Sequence, residues 1–165
     1  MNIFYLDHDP HVAAQAHCDK HVLKMILESC QLLGNAHHLL APTTVPIYKP
    51  THLSHPCTKW VIQSSDHYLW LSRLTHSLLL EYTHRYGKRH ASYMVWSWLA
   101  DHLPPLPRTD QPKPPPQVMP AIYHQEDTVQ AYRAYYHSKT FLTYKHRVPP
   151  EWLRQSPPRS ILGAS

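Results

Sequence analysis

The chain has 165 residues, 42% of them hydrophobic, which is enough for one domain with a proper core. It contains only three glycines, which excludes the glycine-rich loops that hold the phosphates of ATP and dinucleotides, so no cofactor is expected. Its three cysteines form no CxxC pair, which excludes a zinc ribbon or a disulfide scaffold. Lysine and arginine exceed aspartate and glutamate by 16 − 11 = 5, and this positive balance suits a polyanionic partner.

No apolar segment reaches the roughly 20 residues that span a bilayer, so no membrane partner is expected. The N-terminal segment is acidic where a signal peptide would be basic. We therefore expect a cytoplasmic protein, and a monomer.

The predicted elements are helical throughout the chain. Asp9 and Pro10 predict the first helix start, and apolar residues then recur at helical spacing. Four helices are predicted, at about residues 11–40, 54–86 with an interruption around 64–66, 92–102 and 126–143. Prolines crowd residues 104–120, which predicts a polyproline-like crossing or a flexible loop. We expect an all-α fold: a single compact domain, residues 1–150, of about four helices with Pro-rich connecting loops, and a Pro-rich tail at residues 151–165.

A polar stripe follows the first predicted helix. Its members are spaced by three or four residues and so share one helix face: His17, His21, Lys24, Glu28, Gln31 and Asn35. Such a stripe is either an exposed polar surface or the lining of a cleft, in which Lys24 and Glu28 could pair. Asp19 lies on the apolar side, where a carboxylate must cap the helix start, partner a buried base or act in catalysis.

Two basic segments predict contacts with phosphate or substrate. Residues 48–60 form a polar loop that leads into a helix start, and free N–H groups at helix starts bind phosphate. Residues 81–90 combine tyrosines with basic groups, a mixture that suits stacking on bases and contact with backbone phosphates, and a similar mixture returns at 132–147. The candidate contacts are His17, His21, Lys49, His52, His55, Lys59, Arg85, Lys88 and His90. An ordinary capped loop and a solvated helix end are the alternative explanations.

Two other classes of protein fit parts of this pattern. His17 and His21, one turn apart, could bind a metal ion together with His52 and His55, as in a His-rich metal-dependent hydrolase acting on nucleotide or nucleic acid. No HExxH motif accompanies them, so no metal ligand is assigned. A non-catalytic module that binds nucleic acid or protein is the second alternative.

Several short motifs resemble a known family. The order DKxxLKxxxExxQ at residues 19–31, followed by HPxxxW at 55–60, resembles the pyrimidine-dimer DNA glycosylases of phage and bacteria, of the endonuclease V type. The N-terminal MNIF, YRAYY at 132–136 and YKxRxxPxW at 144–152 are similar to uncharacterised phage proteins of related layout. The resemblance spans roughly residues 1–152.

The resemblance implies a compact helical enzyme that cleaves the N-glycosidic bond of a damaged or modified pyrimidine, with or without AP-lyase activity. Its substrate would be DNA, with a free nucleotide as the alternative. In this family an amine attacks C1′ of the sugar to form an imine, and a first-helix carboxylate stabilises the cationic sugar. Glu28 is the only glutamate of the first predicted helix, and Asp19 is the competing carboxylate.

The identity of the amine is open. The characterised enzymes use the α-amine that is exposed when the initiator Met is removed before a small residue. Residue 2 of this chain is Asn, which is too large for ready removal of Met1. Either Met1 itself supplies the amine, or Lys24 does, or the protein is not a lyase.

Overall fold

The computed structural model describes residues 1–155, which contain seven α-helices, one short 3₁₀ helix and no β-strand. The helices are α1 (Pro10–Ala16), α2 (Asp19–Leu40), α3 (Pro56–Gln63), α4 (Ser65–Tyr86), α5 (Tyr93–Asp101), α6 (Thr128–His137) and α7 (Glu151–Arg154), with the 3₁₀ helix at Ala121–Tyr123. The all-α class is confirmed, with more and shorter helices than predicted. No helix within residues 1–155 is both long and apolar enough to cross a bilayer.

The first predicted helix is divided into α1 and α2. Its apolar periodicity continues through residues 17 and 18, but both have extended backbone, with ψ angles of 134° and 163°. Tyr136 stabilises the break because its hydroxyl accepts the N–H of Cys18 at 3.0 Å. The prediction of one helix over residues 11–40 is therefore wrong, and the polar stripe on α2 begins at His21 instead of His17.

The second predicted helix is interrupted where the sequence indicated. α3 ends before Ser64, which has extended backbone and whose hydroxyl accepts the N–H of His67 at 3.1 Å to cap α4. α4 ends at Gly87, in the left-handed conformation with φ of 67°, which glycine adopts without a steric penalty. α2 and α4, the two longest helices, pack against each other, and α1 packs on α4.

The last predicted helix is shorter than expected. The Asp127 carboxylate caps α6 by accepting the N–H groups of Val129 and Gln130, and the helix ends after His137. The chain then returns to the start of α2, where Thr143 O accepts the N–H of Asp19 at 2.8 Å. Residues 138–143 therefore lie beside α2, and predicting them as helix is wrong.

An extended N-terminal arm, residues 1–6, runs through the core. Its side chains from Ile3 to Leu6 are buried. The hydroxyl of Tyr132 on α6 donates a hydrogen bond to Asn2 Oδ1 at 2.9 Å. These contacts fix the start of the chain beside α2.

The proline-rich residues 104–120 form an ordered, extended crossing. Pro107 O accepts the N–H of Ser65 at 2.8 Å, and Lys113 O accepts the indole N–H of Trp60 at 2.9 Å. His67 Nε2 accepts the N–H of Lys113 at 3.0 Å. The crossing is thus held against α3 and α4 over most of its length.

The predicted C-terminal tail begins with α7. Trp152 on this helix is half-buried and lies against Tyr136, with ring centroids 6.1 Å apart. Residues 156–165 lie outside the described residues, so the division into a domain at 1–150 and a tail at 151–165 stays a prediction.

Candidate active site

A cleft of about 400 Å³ opens along α2. Three parts of the chain form it: the N-terminal arm, the first half of α2 and the segment from Val118 to Phe141. Its lining residues are Met1, Asn2, Phe4, Lys20, His21, Lys24, Met25, Glu28, Val118, Tyr135, Lys139 and Phe141. Three of the four predicted catalytic residues, Met1, Lys24 and Glu28, therefore line one cleft.

Glu28 is the carboxylate of this cleft. Lys24 Nζ lies 3.2 Å from Glu28 Oε1, with the lysine side chain 61% exposed and the glutamate side chain only 13% exposed. The pKa of His55 is lowered by burial, and the N-terminal cation and His52 lower it further. The Glu28 carboxylate has the opposite effect and raises this pKa. Met1 and Glu28 thus line the same cleft, and the charges of both groups act on His55.

Met1 is held at the cleft by the arm behind it. The Tyr132 hydroxyl lies 2.9 Å from Asn2 Oδ1 and 2.7 Å from Pro116 O, and its single proton is shared between these two acceptors. Burial raises the pKa of Tyr132, so this hydroxyl keeps its proton and remains a donor. Ile3 and Phe4 are 2% and 5% exposed, which leaves the arm little freedom. The α-amine is therefore positioned by the folded core.

His21 contributes a neutral wall to the cleft. Its ring stacks on Phe4 with centroids 4.2 Å apart, and its Nδ1 is hydrogen bonded to the Tyr136 hydroxyl at 2.8 Å. Burial lowers the pKa of His21 to about 3, and neighbouring positive charges add to this effect. The imidazole is thus uncharged near neutral pH and offers an aromatic surface.

His17 lies behind this wall and does not line the cleft. It is fully buried, with Nδ1 hydrogen bonded to Ala13 O at 2.7 Å. Burial lowers its pKa to about 4, so it is also neutral near pH 7. This placement does not fit a contact with phosphate.

Asp19 lies outside the cleft, in an ion pair with Arg85. Arg85 Nη1 donates to Asp19 Oδ1 at 3.0 Å, and the backbone N–H of Lys145 donates to both carboxylate oxygens. Burial raises the pKa of this carboxyl, but hydrogen bonds from Lys145, Thr143 and Arg85 outweigh that effect and lower it overall. Of the three roles considered for Asp19, the geometry fits a partner for a buried base.

Arg85 is 1% exposed and its guanidinium is fully engaged within the protein. Besides Asp19 it pairs with Glu81 at 3.0 Å and donates to Gln15 O at 3.2 Å. A phosphate could reach this group only by displacing these partners. Arg85 thus joins α4 to the α1–α2 break, and its position does not fit the predicted phosphate contact.

The other predicted contacts lie at two places. His52 and His55 are close at the start of α3, with ring centroids 6.4 Å apart, and His55 Nδ1 accepts the N–H of Cys57 as the helix cap. Lys49 and Lys59 are exposed near this loop. Lys88 is exposed after α4, where His90 packs edge-on against Tyr82. The pKa of His55 responds to the charges of Glu28 and of the N-terminus, both of which belong to the cleft.

The histidines proposed for a metal site do not form one group. His17 and His21 pack among aromatic rings, whereas His52 and His55 lie at the start of α3. Within residues 1–155, no three His, Cys, Asp or Glu side chains are placed to hold a metal ion.

Eight of the twelve cleft residues were not among the predicted site residues, and four of these eight form two cation–π pairs. Lys20 Nζ lies 4.5 Å from the centre of the Phe141 ring, and Lys139 Nζ lies 3.5 Å from the centre of the Tyr135 ring. Lys20, Lys24 and Lys139 therefore bring three positive charges to the cleft that contains Glu28, which suits a polyanionic ligand. The tyrosine and lysine cluster at 132–147 carried a signal for Tyr135 and Lys139, but not for their location in the cleft.

Comparison with known proteins identifies the family of this chain. No curated protein and no solved structure matches the chain. A model of the family described as pyrimidine dimer DNA glycosylase matches residues 1–94 of the 165. The matched part includes Met1, Lys24, Glu28 and His55, whereas Tyr135, Lys139 and Phe141 lie beyond it. Because the match covers more than half of the sequence, this chain belongs to the pyrimidine dimer DNA glycosylase family.

Proposed function

We propose that this protein excises a damaged or modified pyrimidine from DNA, using the α-amine of Met1 as nucleophile and Glu28 as the stabilising carboxylate. The observation that carries the proposal is that both residues line the cleft on α2, within the part of the chain that matches the glycosylase family. An amine and a carboxylate in one cleft are the two groups that this chemistry requires.

The reaction begins when the unprotonated α-amine attacks C1′ of the target nucleotide. A C1′–N bond forms while the glycosidic bond breaks, and the base leaves with the bonding electron pair and takes up a proton. Opening of the sugar ring then transfers a proton to the ring oxygen and leaves a protonated imine between C1′ and Met1. Loss of a C2′ proton from this imine expels the 3′ phosphate, which is the AP-lyase step.

Glu28 stabilises the positive charge that develops on the sugar as the base departs. Its side chain is mostly shielded from water, so its charge acts more strongly there than it would in bulk solvent. Lys24 pairs with the carboxylate from the solvent side of the cleft. The pair orients Glu28 before substrate binds.

Lys24 is the second candidate for the nucleophile, because it is the lysine in contact with Glu28. Its long, largely exposed side chain is less constrained than the α-amine, which follows a buried arm. Proximity catalysis favours the group that is held in place. We therefore assign the amine to Met1.

DNA would approach the cleft through its lysines. Lys20 lies against Phe141 and Lys139 against Tyr135, and the two lysines provide cations for two backbone phosphates. Replacing Lys139 with Gln should reduce the slope of log binding constant against log salt by about 1. The matched control is Arg108→Gln, which removes an exposed positive charge from the proline-rich crossing and should leave the slope unchanged.

The test is borohydride trapping on duplexes that carry an abasic site, a thymine dimer or a modified pyrimidine. The wild type should form a covalent adduct, and peptide mapping should find it on Met1. Glu28→Gln should bind DNA but lose most of the base excision, whereas Glu126→Gln, at an exposed position, should behave as the wild type. If the adduct is found on Lys24, then Lys24 and not Met1 is the nucleophile. Full excision by Glu28→Gln would refute the role of the carboxylate.

A further inference from the structure

A second cavity, of about 410 Å³, shares no lining residue with the active-site cleft. The N-terminal arm separates the two, since Phe4 lines the cleft and Tyr5 lines the second cavity. The chain turns at this point, since the N–H of Leu6 donates to Phe4 O at 3.0 Å in a γ-turn centred on Tyr5. The remaining walls come from α3, α4 and the proline-rich crossing. The crossing thus contributes lining residues to this cavity.

Three aromatic rings form the walls. Tyr5 and Trp70 have ring centroids 4.8 Å apart, and Trp60 meets Trp70 edge-on at 6.4 Å. Both indole N–H groups are already used, by Lys113 O for Trp60 and by His8 O for Trp70. The rings are therefore fixed in orientation. Trp60 is 5% exposed and stacks on His67 with centroids 4.5 Å apart, so the half-buried Trp70 offers the apolar surface, as in protein sites on which nucleic-acid bases stack.

The charged residues that line the cavity favour a ligand with a phosphate group and a hydrogen-bond donor. Arg73 and Lys113 are exposed, and within residues 1–155 neither lies at ion-pair distance from a carboxylate. They are available to a phosphate, for which arginine is well suited by its two parallel N–H groups. Asp66 Oδ2 accepts the N–H of Thr109 at 3.2 Å, and a carboxylate has further acceptor capacity for an exocyclic amino group of a base.

We propose that this cavity binds one unstacked nucleotide, with its base against Trp70, beside Trp60, and its phosphate on Arg73. The cavity volume falls in the range of small-ligand sites, roughly 300–1,000 Å³. Because Asp66 accepts hydrogen bonds, bases with an amino group (cytosine, adenine, guanine) bind better than thymine. The nucleotide is either free in solution or part of a single strand. The site does not depend on the chemistry proposed for the cleft.

The test is titration of ¹⁵N-labelled full-length protein with dCMP, dTMP and a short cytosine oligonucleotide, observing the five tryptophan indole signals. Addition of dCMP should shift the signals of Trp60 and Trp70, and dTMP should bind several-fold more weakly. Arg73→Gln should weaken dCMP binding about tenfold, the typical value of a charge-assisted hydrogen bond. Arg89→Gln, the matched control at another exposed arginine, should leave it unchanged.

The titration also separates the two sources of the nucleotide. Similar binding of dCMP and the oligonucleotide supports a free nucleotide, and binding of the oligonucleotide alone supports a single strand. The proposal is overturned if neither ligand shifts Trp60 and Trp70, or if Arg73→Gln and Arg89→Gln bind alike. Glu28→Gln should bind here as the wild type does, so a failure of this site can be told from a failure of the proposed excision.

Discussion

The two carboxylates considered for catalysis, Asp19 and Glu28, should have different effects when each is replaced by its amide. We expect Asp19→Asn to lower the stability and Glu28→Gln to abolish excision. In Asp19→Asn the buried Arg85 loses one of its two anionic partners, and one carboxylate oxygen that accepts the Lys145 N–H becomes an NH₂ group. Loss of a charge-assisted hydrogen bond and of charge balance around a buried cation should lower the free energy of unfolding by about 2–3 kcal/mol. For a chain of this size, that is a fall in Tm of roughly 4–12 °C.

Glu28→Gln should show the opposite profile. It removes a one-turn ion pair with a largely exposed lysine, which is worth less than about 0.5 kcal/mol. Its free energy of unfolding should therefore stay near that of the wild type while excision is lost.

The assay combines urea unfolding, followed by circular dichroism, with borohydride trapping at a temperature where all variants are folded. Asp19→Asn should be less stable, yet it should form the trapped adduct at a rate near that of the wild type. The reasoning would be refuted if Asp19→Asn kept its stability within about 0.5 kcal/mol of the wild type and lost trapping. That result would make Asp19 the catalytic carboxylate.

Three further outcomes are expected. Tyr132→Phe removes the hydrogen bond to Asn2 and should slow imine formation with little change in DNA affinity; Tyr68→Phe is the control, since the Tyr68 hydroxyl is equally buried but donates to Leu99 O. The pKa values of His17 and His21 are lowered to about 4 and about 3, so their contribution to the free energy of unfolding is complete above about pH 6.5 and is lost as the pH falls toward 4. In urea unfolding, the free energy of unfolding at pH 5 should be roughly 2–4 kcal/mol lower than at pH 7.5. An unchanged value would contradict the burial of the two neutral imidazoles. Gly87→Ala places a side chain at φ of 67° and should cost about 1 kcal/mol by thermal unfolding, with Gly87→Asn costing less, although neither side chain meets a neighbour within 4 Å of its Cβ.

The helical class and the main helix ends could be predicted because they depend on local signals. Gly87 ends α4 through its own backbone freedom, and Ser64 caps α4 through a hydroxyl only three residues from its partner. The break before Asp19 was missed although an acidic residue in a first turn is a helix-start signal. The apolar periodicity across residues 17 and 18 outweighed it, because the contact that stabilises the break comes from Tyr136, 118 residues away.

In the site, too, the contacts between residues close in the sequence could be predicted and the long-range contacts could not. Lys24 and Glu28 are one turn apart, so their pairing follows from helix geometry alone. The burial of Arg85 could not be inferred, since its partner Asp19 is 66 residues distant and an arginine among tyrosines equally suggests a phosphate contact. Lys139 and Phe141 reach the cleft only because α6 ends early, and no local pattern specified that end.

The buried N-terminal arm has a consequence for how the protein is made. Asn2 and its partner Tyr132 are 130 residues apart, so at about 5–20 residues per second the arm waits roughly 6–26 s before its partner is synthesised. During that interval Ile3, Phe4 and Leu6 have no complete core to enter. The cleft is therefore among the last features to form, and a nascent chain holding only residues 1–94 would carry Glu28 and Lys24 without the wall that closes around them.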